Sequence, residues 1–147
     1  MITFLSDDVL SNSIAVKAYY AKTAESRAAS LMLRLYADLI DSGFAIGVAI
    51  PNNSHIIWLE QNNAPIGGIC YSIQPELSQA WIIFSFTMPA YRGLGVNQVC
   101  HKYLEADMKK RGLAFIGSHV HIDNISRLKS CDKVGLKPNF YRMHKAI

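Results

Sequence analysis

Apolar and polar residues follow two rhythms along this chain, one of period two and one of period 3.6. A short strand is predicted at Ile2–Leu5. Between Ser11 and Ile40 apolar residues recur at helical spacing, at Ile14 and Ala18 and later at Leu31, Leu35 and Leu39. Thr23 and Ser26 are available as N-caps, so the pattern predicts two helices separated near residues 22–25, the second ended by Gly43. Residues 43–50 fit neither period, and Pro51-Asn52-Asn53 reads as a turn.

Three strand-like segments follow, at Ile56–Glu60, Ile66–Ile73 and Ala80–Met88. Gln61-Asn62-Asn63-Ala64-Pro65 joins the first two as a hairpin. In the third, Trp81, Ile83 and Ser85 alternate with Ile82, Phe84 and Phe86, so both faces are apolar, as suits a central strand covered on both sides. The clearest helix spans residues 97–111: Val96, Val99, Cys100, Tyr103, Leu104 and Met108 line one face, and Lys102, Glu105, Lys109 and Lys110 the other. Lys109, Lys110 and Arg111 fall at its negative dipole end, and Gly112 is placed to stop it. Leu113–Val120 reads as a strand, Asn124–Val134 as a helix with Ile125, Leu128, Cys131 and Val134 inward and Gly135 ending it, and Phe140–Ile147 as a last strand. Late alternation of strands and helices after a hairpin predicts a mixed α/β sheet.

Composition narrows this picture. With 147 residues, half of them apolar, a single domain over residues 1–147 is expected. No apolar run approaches the ~20 residues needed to cross a bilayer, and the N-terminus carries Asp7 and Asp8 without a basic leader, so a cytoplasmic protein is expected, with no membrane partner. Cys70, Cys100 and Cys131 are odd in number and outside metal-ligand spacing, which fits reduced thiols. A net charge of +4 permits an anionic ligand without requiring one.

Candidate chemistry centres on Pro89-Ala90-Tyr91-Arg92-Gly93-Leu94-Gly95-Val96-Asn97, a glycine-bearing turn between a strand and a helix. The first N–H groups of a helix lack internal acceptors and sit at the positive end of its dipole, so an anion satisfies both. Gly93 and Gly95 allow positive φ and close approach to the main chain, while Arg92 can add a charge-assisted bond. Glycine in such a turn also serves purely steric ends. No Gly-Lys-Ser/Thr follows and the third glycine of a dinucleotide fingerprint is absent, which excludes both of those phosphate motifs.

Met88 through Val96 resembles the central motif of the GNAT superfamily of acyl-CoA-dependent N-acyltransferases, in which Arg/Gln-x-x-Gly-x-Gly/Ala follows an apolar strand. His121-Ile122-Asp123-Asn124, then Lys133-Val134-Gly135-Leu136, is similar to that family's second signature, and Tyr141-Arg142-Met143-His144-Lys145 to the closing strand of many members. The match is good over residues 80–147 and confined to element order before them. The resemblance implies a central mixed, mostly antiparallel sheet flanked by helices, and acetyl-CoA as co-substrate without a metal. It also implies that the amides of Gly93, Leu94, Gly95, Val96 and Asn97, with Arg92 nearby, hold the pyrophosphate. The main chain from Phe86 to Met88 would pair with the pantetheine arm and Asn124 would bond it from the other side, with a main-chain N–H near Met88 turned to the carbonyl oxygen.

Two positions depart from the pattern. Asn97 replaces the motif's last Gly/Ala. Cys131 stands where many members carry a Tyr that acts on the departing thiolate; Cys131 and Tyr141 are the candidates for that role, with a small core residue as the other reading of Cys131. The implied reaction is direct attack of a primary amine on the thioester. An alkyl ammonium is neutral in about one molecule per few thousand at pH 7, so a base is useful; Glu60, Asp123, His119 and His121 qualify by residue type. His119 and His121 share a strand face, but spacing supplies no third metal ligand. Tyr19, Tyr20 and Trp58 are candidates for lining the acceptor slot. The alternatives are a non-catalytic CoA-binding module and acylation of a nucleic-acid-linked amine such as aminoacyl-tRNA; scattered Lys and Arg make a nucleic-acid partner the weaker expectation. A homodimer is left open.

Overall fold

The computed structural model describes residues 1–25, 27–41, 53–120, 122–139, 143 and 145–146. Strands β1 (Thr3–Val9), β2 (Ala15–Lys22), β3 (His55–Gln61), β4 (Ala64–Gln74), β5 (Gln79–Thr87) and β6 (Phe115–Ser118) form one sheet in that order. The first five are antiparallel neighbours, and β6 runs parallel to β5. The described α-helices are α1 (Arg27–Asp41), α2 (Val96–Arg111) and α3 (Ile125–Lys133), none of them long and apolar enough to cross a membrane.

The first predicted helix is instead β2. Ile14 and Ala18 stand four apart, a spacing that satisfies a helical turn and strand alternation alike. Val16 and Ala18 are buried between exposed Ala15 and Lys17, and that alternation belongs to a strand. Tyr19 stacks on Trp58 of β3, centroids 5.6 Å apart. β1 extends well past Leu5, to Val9. The second predicted helix is α1, whose Ala29, Met32 and Tyr36 are buried; the side chains of Leu35 and Leu39, Gly43, residues 43–50 and Pro51-Asn52 lie outside the described residues.

The hairpin between β3 and β4 turns on Asn62 and Asn63, both left-handed at φ 52° and 63°, a conformation asparagine tolerates. Two apolar cores flank the sheet. One joins Ile57, Leu59, Ile69, Tyr71 and Ile82 to Val96, Cys100, Leu104 and Met108 of α2. The other joins Ile56, Trp58, Cys70, Phe84 and Phe86 to Met32 and Tyr36 of α1.

The alternation expected along β5 breaks at Ile83. Tyr71 pairs with Ile82 and Cys70 with Phe84, so Ile83 is an extra residue, a β-bulge. Ile82 therefore faces α2 while Phe84 faces α1. Later elements follow the prediction with trimmed ends: α2 stops at left-handed Gly112 and β6 is four residues long. In α3 Cys131 is buried, whereas Ile125 is 56% exposed rather than inward. The predicted strand at Phe140–Ile147 falls mostly outside the described residues.

Candidate active site

Two features of β5 and α2 build the site. The first is a fork. β6 pairs with β5 only from Gln79↔Phe115 to Ile82↔Ser118, so beyond Ile82 no strand among the described residues lies beside the β5 edge. The N–H of Met88 donates to Ile66 O of β4 at 2.8 Å. Peptide groups alternate sides along a strand, so those of Phe86 and Met88 face β4, and those of Ser85 and Thr87 face the fork. The N–H of Met88 itself is thus committed to the sheet, and of the main-chain donors expected near Met88 the one on the open edge is that of Thr87. The bulge at Ile83 sets this phase.

The second is the head of α2. Gly93 and Gly95 are left-handed, at φ 78° and 86°, and Gly95 is the N-cap with no side-chain cap bond. The first helical bond runs from Val99 N to Gly95 O, 3.1 Å. Val96, Asn97 and Gln98 thus present N–H groups without an intrahelical acceptor, and the described residues show no protein acceptor for the amides of Gly93, Leu94 or Gly95. Open space surrounds Gly93, whereas a Cβ on Gly95 would stand 3.0 Å from Gln98 Oε1. The loop is held from behind: Leu94 O accepts from Ser11 N at 3.1 Å and Ser11 Oγ at 3.0 Å. Val96 is buried against Gly67 of β4, where a Cβ would meet Val96 Cγ1 at 2.6 Å. The paired Gly67-Gly68 inside a strand signals such close approach; no sequence signal marks Ser11.

Arg92 is exposed, its Nε 3.4 Å from Thr87 O. Asn97 does not reach the amide cradle. Its Nδ2 donates to Ser130 Oγ of α3 at 2.7 Å, and its Oδ1 is buried without a partner among the described residues. It therefore ties α2 to α3. Asn124 caps α3, its Oδ1 accepting from Arg127 N at 3.1 Å, which leaves its amide hydrogens to donate elsewhere. Cys131 is buried at 6% exposure. Tyr141 and His121 lie outside the described residues.

The candidate bases are dispersed. His119 follows the last paired residue of β6 and meets Trp81 edge-on, centroids 4.8 Å apart. Glu60 accepts from Trp58 Nε1 at 3.2 Å. Asp123 is exposed ahead of α3. Of the expected slot residues, Trp58 is core at 1% exposure, Tyr19 is stacked on it, and Tyr20 belongs to the α2 side of the sheet, bonded to His55 Nδ1 at 2.7 Å.

A glycine-opened helix beside a forked sheet is the arrangement that a family match then identifies: the acetyltransferase (GNAT) family profile matches residues 15–135. The chain belongs to this family. β1 and the turn bearing Ser11 precede the matched region of this GNAT chain. No curated protein matches it by sequence. Among solved structures, it is similar to an aminoglycoside acetyltransferase from an uncultured soil metagenomic sample, in complex with sisomicin: TM-score 0.72, 10% identity, covering 90% of this chain and 96% of that one. It also resembles the ribosomal-protein-alanine N-acetyltransferase of Brucella melitensis biovar Abortus 2308, at TM-score 0.63, 11% identity, 90% and 99% coverage. A third, a predicted acetyltransferase with acetyl-CoA from Clostridium acetobutylicum, gives TM-score 0.64, 18% identity, 89% and 96% coverage. At these identities the likeness is one of fold.

Proposed function

We propose that the protein is an N-acetyltransferase that moves an acetyl group from acetyl-CoA to a primary amine, by direct attack while both substrates are bound. The observation that carries this reading is the run of main-chain donors from Gly93 to Gln98 at the head of α2, for which the described residues show no capping side chain. These amides suit a diphosphate, with Arg92 adding positive charge beside them. The Ser85 and Thr87 peptide groups on the open edge of β5 suit the amides of the pantetheine arm, which would join the sheet as a strand does. Acetyl-CoA supplies the activated acyl group as a thioester.

Of the candidate bases, His119 stands where β5 and β6 part, and we assign it the proton released when the amine attacks. Cys131 and Tyr141 remain the groups proposed to return a proton to the thiolate. Holding both reactants in line within the fork lowers much of the barrier. A non-catalytic CoA-binding module, the second reading, is favoured by the buried state of Cys131.

Coenzyme A is expected to raise the melting temperature in a concentration-dependent way. Gly95→Val should weaken CoA binding at least tenfold, because the added side chain meets Gln98 and forces a left-handed residue into strain. Unchanged affinity in that variant would count decisively against the cradle. Acetyl-CoA consumption across a panel of amines then separates an enzyme from a binding module.

A further inference from the structure

A second concave site lies at the opposite end of the sheet from the cradle. It is a pocket of about 420 Å³ whose polar walls are Lys22, Asn53, Ser54, His55 and Arg111, with Ile73 on its apolar side. That volume suits a small-molecule ligand. Lys22 pairs with His55 across β2 and β3, and His55 with Tyr71 across β3 and β4, whereas Gly67 pairs with Thr87 at the cradle end. Ile73 lies six positions along β4 from Gly67, about 20 Å, so an occupant of this pocket is distinct from one held at Gly93–Gln98.

Of the two cationic side chains here, Arg111 is held in place. Arg111 Nε donates to both oxygens of Asp107, at 3.0 and 3.1 Å, and its Nη2 lies 3.4 Å from Tyr20 OH. Tyr71 OH donates to the same Asp107 carboxylate at 2.7 Å, so both of its oxygens accept hydrogen bonds. The guanidinium is thereby fixed with donors still unused. His55 is 8% exposed and stacked between Tyr20 and Tyr71. Ser54 is held by Thr23, whose Oγ1 lies 2.6 Å from Ser54 Oγ. Lys22 is exposed and makes no ion pair or hydrogen bond among the described residues. Of the last carbonyls of α2, those of Lys109 and Met108 accept from Gly112 N and Leu113 N.

We infer that this pocket is a second anion site, for a small organic molecule carrying a carboxylate or phosphate on an apolar stem. The anionic group would sit between Lys22 and the fixed Arg111 fork, and the stem would lie along Ile73. Nothing in this depends on the transferase reading.

The test is amide-resolved NMR titration of the whole protein with phenyl phosphate and with benzoate, benzyl alcohol serving as the uncharged control. Saturable shifts at Lys22–Ala24, Asn53–His55, Ile73 and Arg111 are expected with one or both anions, the stronger of the two naming the charged group. Lys22→Glu should weaken that binding at least tenfold, and Lys22→Met should do so in the same direction; both alter an exposed side chain, and an unchanged spectrum elsewhere verifies the fold. The inference is overturned if no saturable shift develops, if shifts are confined to Gly93–Gln98, if benzyl alcohol binds as well, or if Lys22→Glu binds as the parent does.

Discussion

His101 shows how one residue placed by tertiary packing acquires a pH signature. Only 4% exposed, it has its Nδ1 buried without a partner among the described residues and its Nε2 3.5 Å from Glu105. Burial pushes its pKa down; Glu105 pulls the other way, and Arg127 from α3 adds to the depression. A histidine kept neutral in the fold and free to protonate when unfolded stabilises the protein above its ordinary pKa of about 6.5, and that stability declines as the pH falls below it. Urea midpoints at pH 7.5 and 5.5 should therefore differ less in His101→Gln than in the parent chain; an equal difference would remove His101 from the account. Buried thiols are the complement, since burial pushes Cys70 and Cys100 up to about 12, which makes both poor nucleophiles near neutrality. Sequence spacing does not reveal His101, because a polar residue beside a helix's apolar stripe looks like surface until α3 is packed over it.

At the scale of elements, β1 is joined to α2 by Asp8, which accepts from Lys102 Nζ and, at 2.8 Å, from Tyr103 OH. Burial pushes the Asp8 carboxyl up, yet the bonds from Lys102, Val9 N–H and Tyr103 outweigh it and hold it below the usual carboxylate value. A depressed carboxyl stabilises the fold above its unfolded pKa and loses that effect as the pH falls through the folded one. Asp8→Asn should thus lower the melting temperature at neutral pH, with the gap closing below about pH 4. Parallel melting curves across that range would contradict the tie. Where sequence reading succeeded here, it relied on local signals. The hairpin was legible in Asn62-Asn63, the end of α2 in Gly112, and the start of α3 in Asn124. Where it failed, at β2, the four-residue step from Ile14 to Ala18 fits both periods, and burial of Val16 against α2's side of the sheet decided for the strand.

At the scale of the molecule, the site depends on how closely α2 lies on the sheet. Gly67 fixes that distance: a Cβ there would also stand 2.7 Å from Phe86 O. Gly67→Val is expected to cost about 2 kcal/mol of stability and to weaken CoA binding with it, since the cradle moves with the helix. Denaturant unfolding and CoA titration of the same variant check both halves. The sequence by itself determined the glycine turn that opens α2, the Gly112 end of α2, the Asn124 start of α3 and the mixed sheet, because capping, glycine conformation and apolar periodicity act over a few neighbouring residues. Tertiary structure alone decided which strand edge is open, where the Ile83 bulge reverses the faces of β5, that Asn97 turns to Ser130 rather than to the cradle, and that Ser11 braces Leu94. Each of these joins residues far apart in the chain, and only the packed layers bring them within the few ångströms over which hydrogen bonds and steric contact act.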